Sequence, residues 1–383
     1  MRPSIFFLFL ALTFCAPVHA ESKPLPPNLS FLSQDFESLQ VSLDRMKLAS
    51  LYQEGRYDEA FSVASTLLKS AHQLHDPLLK ADTLEDIAKI FQLKGRYPEA
   101  EKMFKQVMAI RKDKAGEEDP SYATAVSNLG LLYENMGEYK KALRMTHKAW
   151  KIRLKVLGAD HPETAISLNN LAGLYRIHGE EDKAEECYRE ALRIWTESGE
   201  SQTLVAKVLN NLAIVYEEQN RIDESLKMFW EAYAIRREAY GENHPSLAVL
   251  LNNMGGLYKK QGQFEKAESL YKQAEEIWVR TLGADHPYVA RVRNNRALLY
   301  QQQGRLQEAE KLFREALDVA RKSMGEDHPF GGQIVSNLVS LYQDSGRLQD
   351  AEALKQKYLK PETAVPVVPA AKRNSITIGQ TTT

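Results

Sequence analysis

The stretch Ala165-Ile166-Ser167-Leu168-Asn169-Asn170-Leu171-Ala172-Gly173-Leu174-Tyr175 is followed by Gly179 and then by Ala184, Tyr188, Ala191 and Ile194. Leu168, Leu171, Ala172 and Tyr175 recur at helical spacing and define one apolar arc. Gly179 suits the end of that helix, where a residue without Cβ turns most cheaply. Ala184, Tyr188, Ala191 and Ile194 lie on one face of a second helix. The alanines let the neighbouring helix approach, and the larger side chains fill the gaps. Just upstream, Leu157-Gly158-Ala159-Asp160-His161-Pro162 is a handover between helices. Gly158 suits the end of one helix and Pro162 the first turn of the next, and Asp160 favours that N-terminus through the helix dipole.

The pattern repeats. Turn residues recur at Gly55, Gly95, Gly137, Gly179, Asn220, Gly262, Gly304 and Gly346, spaced by 40, 42, 42, 41, 42, 42 and 42 residues. A small residue stands five positions after each: Ala60, Ala100, Ala142, Ala184, Ser225, Ala267, Ala309 and Ala351. Prolines recur at Pro77, Pro120, Pro162, Pro245, Pro287 and Pro329, and Thr203 stands where the series skips one. The 383 residues would otherwise suggest two or three domains. A single period over most of the chain predicts one stacked array instead.

These residues resemble a tetratricopeptide repeat, and the 42-residue period with its Gly-x-Asp-His-Pro linkers resembles the long-repeat subclass of kinesin light chains. The resemblance implies an all-α fold, a tetratricopeptide-repeat α-solenoid wound as a right-handed superhelix of helical hairpins. It also implies that first helices line a concave groove for peptides or partner proteins. The expected organisation is residues 1–20 as a signal peptide, 21–40 as a Pro-rich linker, 41–359 as about eight repeat units and 360–383 as a disordered tail. The first and last units depart from the pattern, as ends facing water are expected to do.

The signal peptide is read from Arg2, an apolar run from Ile5 to Phe14, Pro17, and small residues at Val18 and Ala20. The run is too short for a stable anchor, and the pattern predicts cleavage after Ala20. A secreted or periplasmic location is therefore expected, with no stable membrane insertion. The charge balance of 50 basic and 51 acidic residues argues against nucleic-acid binding through bulk positive charge. Two cysteines, Cys15 and Cys187, form no disulfide framework.

No metal or cofactor is expected. His161, His244, His286 and His328 recur once per unit, and stacked units hold equivalent positions ~8–10 Å apart, too far to share one ion. They read as linker packing and capping. Cys187 lies among core positions of its helix. Glu185-Glu186 and Glu275-Glu276 read as solvated outer faces. Trp150, Trp195, Trp230 and Trp278 read as packing between units. The sequence holds no phosphate loop, zinc-protease spacing or nucleophile elbow.

The informative columns lie on the first helices. Asparagine pairs recur at Asn169-Asn170, Asn210-Asn211, Asn252-Asn253 and Asn294-Asn295, with single members at Asn128 and Asn337. Asn is a poor helix former, and each pair lies outside the apolar arc. Two explanations stay open: amides facing a groove, where the resembling family places them, or a hydrogen-bonded ladder that fixes the stacking. Lys207, Lys259, Lys260 and Arg291 fall on the same arc and suit an acidic partner segment, whereas the early unit offers Asp82, Glu85 and Asp86. Arg293 and Arg296 replace apolar core residues and must pair or reach water. The expected function is an exported, non-enzymatic scaffold holding an extended protein segment. The alternatives are an envelope assembly or targeting subunit acting through its outer surface, and an enzyme or sugar-binding protein with an unrecognised site.

Overall fold

The computed structural model describes residues 30–199 and 202–358. Among the described residues there are sixteen α-helices and no strand. They are α1 (Ser30–Gln53), α2 (Tyr57–Gln73), α3 (Pro77–Leu93), α4 (Tyr97–Ala115), α5 (Pro120–Asn135), α6 (Tyr139–Leu157), α7 (Pro162–Ile177) and α8 (Glu181–Glu197). Then come α9 (Gln202–Glu218), α10 (Ile222–Tyr240), α11 (Pro245–Lys260), α12 (Phe264–Leu282), α13 (Pro287–Gln302), α14 (Leu306–Met324), α15 (Pro329–Asp344) and α16 (Leu348–Tyr358). The expected signal peptide and C-terminal tail lie outside the described residues. The linker expected over 21–40 is corrected in its second half, because α1 is already helical from Ser30. Beyond the last proline, Pro27, nothing in that stretch opposes a helix.

The described residues divide into two compact units, with the boundary between Ile110 and Arg111. In the first, α1 packs on α2 and α2 on α3. Ala60, Ala64, Leu67 and Ala71 bury one face of α2 at spacings of three and four residues. They belong with Leu48 and Leu51 of α1 and Leu84, Ile87, Ala88 and Phe91 of α3 to the core of this unit.

In the second unit, α5 through α16 form six helical hairpins. Each odd-numbered helix packs on the even-numbered helix that follows, and each even-numbered helix packs on the next hairpin. The turns demand left-handed backbone: φ is 75° at Gly179 and 60° at Asn220, a region asparagine tolerates better than other non-glycine residues. Gly255 is required for another reason. A Cβ there would meet the Tyr271 ring at 2.8 Å, so this glycine lets α11 lie directly on α12. The hairpin cores are filled by Tyr188, Trp195, Phe229, Tyr271, Trp278 and Phe313, each side chain contributing ~1.5–3 kcal/mol on burial. Trp230 departs from the expected packing role, being 40% exposed.

The four linker histidines are helix caps. His161, His244, His286 and His328 use Nδ1 to accept the backbone N–H two residues on, at 3.1, 3.3, 3.2 and 3.2 Å. Each is followed by a proline at the first helical position, where the missing N–H is no loss.

Candidate binding face on the odd-numbered helices

The asparagine pairs bond mainly to one another. Within a pair the first amide donates to the second: Asn169 to Asn170 at 3.3 Å, Asn210 to Asn211 at 3.2 Å and Asn252 to Asn253 at 3.4 Å. Between repeats, Asn211 donates to Asn169 at 3.5 Å, Asn295 to Asn252 at 2.9 Å, and Asn337 to Asn294 at 2.9 Å. Asn169, Asn252 and Asn294 thus accept from the second register position one repeat later, whereas the Asn210 side-chain oxygen is buried without a hydrogen bond. Asn210, Asn252 and Asn294 are only 1–2% exposed. Asn169, Asn253 and Asn295 are buried as well, and Asn211 is half-buried. Of the two explanations left open, this burial and these bonds favour the ladder over amides facing an open groove. The bonds between repeats explain why a poor helix former recurs: buried amides in register bond across the stack at three of the repeat boundaries.

The charged positions divide into paired and unpaired. Near the C-terminal ends of the odd-numbered helices, side chains pair from one repeat to the next. Arg176 meets Glu218 at 3.0 Å, Lys260 meets Glu217 at 2.6 Å, and Gln301 donates to Asp344 at 2.8 Å. Lys260 is thus a stacking contact as much as a free cation. Lys259 occupies the register of Arg176, Glu217 and Gln301, but its counterpart one repeat on is Gln302. Among the described residues it has no acidic partner, and burial beside Lys260 pulls its ammonium below the usual lysine range. Arg291 stands over the Phe330 ring at 5.1 Å, a cation–π contact. Its Nε is buried without a hydrogen bond, and burial lowers its guanidinium from the usual range. Lys207, in the same register on α9, is half-buried and likewise lacks an acidic partner among the described residues. In the first unit the corresponding face is acidic and partly neutralised. Lys89 pairs with Glu85 at 2.8 Å, and burial pushes Asp86 up to about 6.

Arg293 and Arg296 share the Glu275 carboxylate, Arg293 at 2.7 Å, and Arg296 also reaches the Tyr300 hydroxyl at 3.3 Å. Glu275 is accordingly no solvated outer-face residue. Glu185 is similar, accepting from Arg189, Gln219 and Arg221. Both carboxylates tie hairpins together, which no single-helix wheel displays. Burial pushes the Cys187 thiol up to about 11, so it is not a thiolate near neutral pH. Among the described residues no group of three or more His, Cys, Asp or Glu is placed to hold a metal ion, and no helix is long and apolar enough to cross a membrane.

Stacked two-helix repeats joined by amide bonds between odd-numbered helices define an α-solenoid of the tetratricopeptide class. Residues 45–113, 121–197, 204–278, 248–322 and 288–360 match the family model of the tetratricopeptide repeat. The chain belongs to that family. Among solved structures, BtubC (BKLC) from P. vanneervenii is 28% identical over 59% of this chain and 92% of its own, with a TM-score of 0.54. The apo form of the quorum sensor NprR from B. thuringiensis reaches a TM-score of 0.64 at 12% identity, covering 86% of this chain and 93% of NprR. The Rap conjugation gene regulator of plasmid pLS20, solved with the Phr* peptide, has a TM-score of 0.52 at 18% identity, with 75% of each chain covered. At 12% and 18% identity the likeness is one of fold. No curated protein matches the chain.

Proposed function

We propose that this protein is an exported, non-catalytic scaffold whose odd-numbered helices hold an extended, acidic protein segment. The carrying observation is the set of cations on that face with no acid to meet them: Lys207, Lys259 and Arg291. Where this surface serves stacking alone, its charges are matched, as at Arg176–Glu218 and Lys260–Glu217. Half-buried unpaired cations lower stability unless an anion arrives, and they favour recognition of a negatively charged partner. The Rap regulator indicates that a related fold can hold a peptide. Export is inferred from residues 1–20, whose apolar core and small residues before Glu21 form a secretory signal.

Site-specific photocrosslinking tests both parts. A crosslinker at Ile166, in the register of Lys207 and Arg291, should capture one protein, and a crosslinker at Trp230 on an even-numbered helix should not. The captured species should vanish when Lys259 and Arg291 are changed to glutamate. Capture from Trp230 alone would favour an assembly subunit that works through its outer surface. N-terminal sequencing of the exported chain should begin at Glu21, and an intact Met1 would remove the export claim.

A further inference from the structure

Arg153 and Arg236 occupy one position of the even-numbered helices, sixteen residues after Gly137 and Asn220. They are 3% and 5% exposed. Their surroundings differ at every partner. Arg153 donates from Nη1 to the Ser167 hydroxyl at 2.9 Å and from Nη2 to the Thr124 hydroxyl at 2.9 Å, and its Nε lies 3.3 Å from a Glu163 carboxylate oxygen. Around Arg236 the same three register positions hold Lys207 for Thr124, Leu250 for Ser167 and Ser246 for Glu163. Arg236 has thus lost both hydroxyls and the carboxylate and acquired an ammonium. Its remaining bond runs from Nη1 to the Ser246 carbonyl at 3.5 Å, the outer limit of hydrogen bonding.

Burial lowers the Arg153 guanidinium as well, so the two sites differ in their partners and not in the direction of this shift. Burial pulls Arg236 down to about 10, and burial together with the Arg236 charge lowers Lys207. The other polar groups at this junction are the Tyr240 hydroxyl, His244 and the Ser246 hydroxyl, the last 2.7 Å from His244 Nδ1. Among the described residues no carboxylate faces either cation. The same register holds a third arginine, Arg111, which donates to the Ser121 carbonyl at 3.2 Å, but Trp195, Trp278 and Ala320 elsewhere, so stacking does not demand an arginine here.

We propose that Lys207 and Arg236 form a binding site for an oxyanion, a carboxylate or a phosphate, where α9, α10 and α11 meet. The guanidinium offers a planar fork and the ammonium a point charge, the two donors that hold such groups. The buried fork would then regain what Thr124, Ser167 and Glu163 supply to Arg153. This goes beyond the segment-holding role, since a free ion suffices and no partner protein is needed to detect it.

The test is thermal unfolding of the whole chain in millimolar inorganic phosphate against chloride of equal ionic strength, and in parallel with a hexaglutamate peptide. Ligand that binds only the folded state raises Tm. Wild type should gain a few degrees with at least one probe. A phosphate response identifies a free-ion site, and a peptide response alone identifies a site for side-chain carboxylates. The graft Lys207→Thr, Leu250→Ser, Ser246→Glu installs the Arg153 surroundings and should melt higher than wild type without ligand while losing the response. The single change Lys207→Gln, which leaves the hydrophobic packing alone, should remove at least half of it. Equal shifts in wild type and Lys207→Gln, or no shift in wild type, would overturn the proposal.

Discussion

The repeat containing Arg153 and the repeat containing Arg236 share a fold, a register and a buried arginine, yet they do different work with it. In the first, two hydroxyls accept from the guanidinium and a carboxylate lies 3.3 Å from its Nε, and the residue is part of the stack. In the second the cradle is gone and a lysine has moved in. A repeat array can leave a binding group in a structural column because the other repeats carry the stacking. The unit of meaning is then the residue together with its three neighbours in register, and not the residue type.

The comparison breaks most visibly on a matched pair of substitutions. Arg153→Met should cost ~2–4 kcal/mol, since it strips charge-assisted bonds from buried hydroxyls and separates an ion pair. Arg236→Met should be neutral or stabilising by ~1–2 kcal/mol, because it removes a buried charge that nothing compensates. Melting curves of the two variants should therefore move in opposite directions. Equal losses would mean that Arg236 is as well satisfied as Arg153.

A second contrast sets Asp86 of the first unit beside Asn128, Asn170 and the later asparagines of the same register. Burial raises the Asp86 carboxyl from 3.8 to about 6. A carboxyl raised on folding adds stability below its unfolded value, and that contribution is lost as pH climbs through the folded value. Stability should thus fall between about pH 4 and pH 6, by up to ~2–3 kcal/mol in all, since each pH unit separating the two values is worth ~1.4 kcal/mol. Asp86→Asn keeps the shape and drops the charge. It should raise the melting temperature of the first unit at pH 7–8 and leave it unchanged below pH 4. A gain of the same size at both pH values would sever the effect from ionisation.

The asparagine ladder gives the third. Asn252→Ala leaves the Asn295 amide and the Asn253 carbonyl without their mate, at ~1–3 kcal/mol for a buried polar group, partly offset by the better helix former. The net loss should be ~1–2 kcal/mol. Asn128→Ala, at a half-buried position, should cost less than half as much. A Tm unchanged by Asn252→Ala would return the pair to the open groove.

The period, the glycine and proline punctuation and the apolar arcs were all legible in the sequence, because each follows from one helix or one turn. The ladder was visible as a column, but the sequence left open whether its amides face a groove or each other. A helical wheel shows the face a helix turns to its own hairpin, whereas an odd-numbered helix buries a second strip against its neighbours across repeats. Glu185 and Glu275 were misjudged for the same reason: their partners lie in the next hairpin. Arg236 was missed outright. Its signal exists only when four register positions from two repeats are read together, which requires knowing which side chains the stack brings into contact.

The smallest effect sharpens the comparison at the helix ends. Lys260 finds Glu217 across the repeat boundary at 2.6 Å, while Lys259, one residue earlier, faces the register of Gln302. Gln302→Glu would supply the missing acid on an exposed position. A partly solvated pair of this kind contributes ~0.2–1 kcal/mol, so Tm should rise by a degree or so at low ionic strength and return toward wild type in high salt. The same change neutralises one of the three unmatched cations, so an acidic segment held on this face should bind more weakly although the scaffold is more stable. That opposition separates recognition from stacking: a substitution that only repaired the stack would leave binding unchanged. If Gln302→Glu strengthens stacking and the segment binds as before, Lys259 belongs to the scaffold, and recognition rests on Lys207, Arg236 and Arg291.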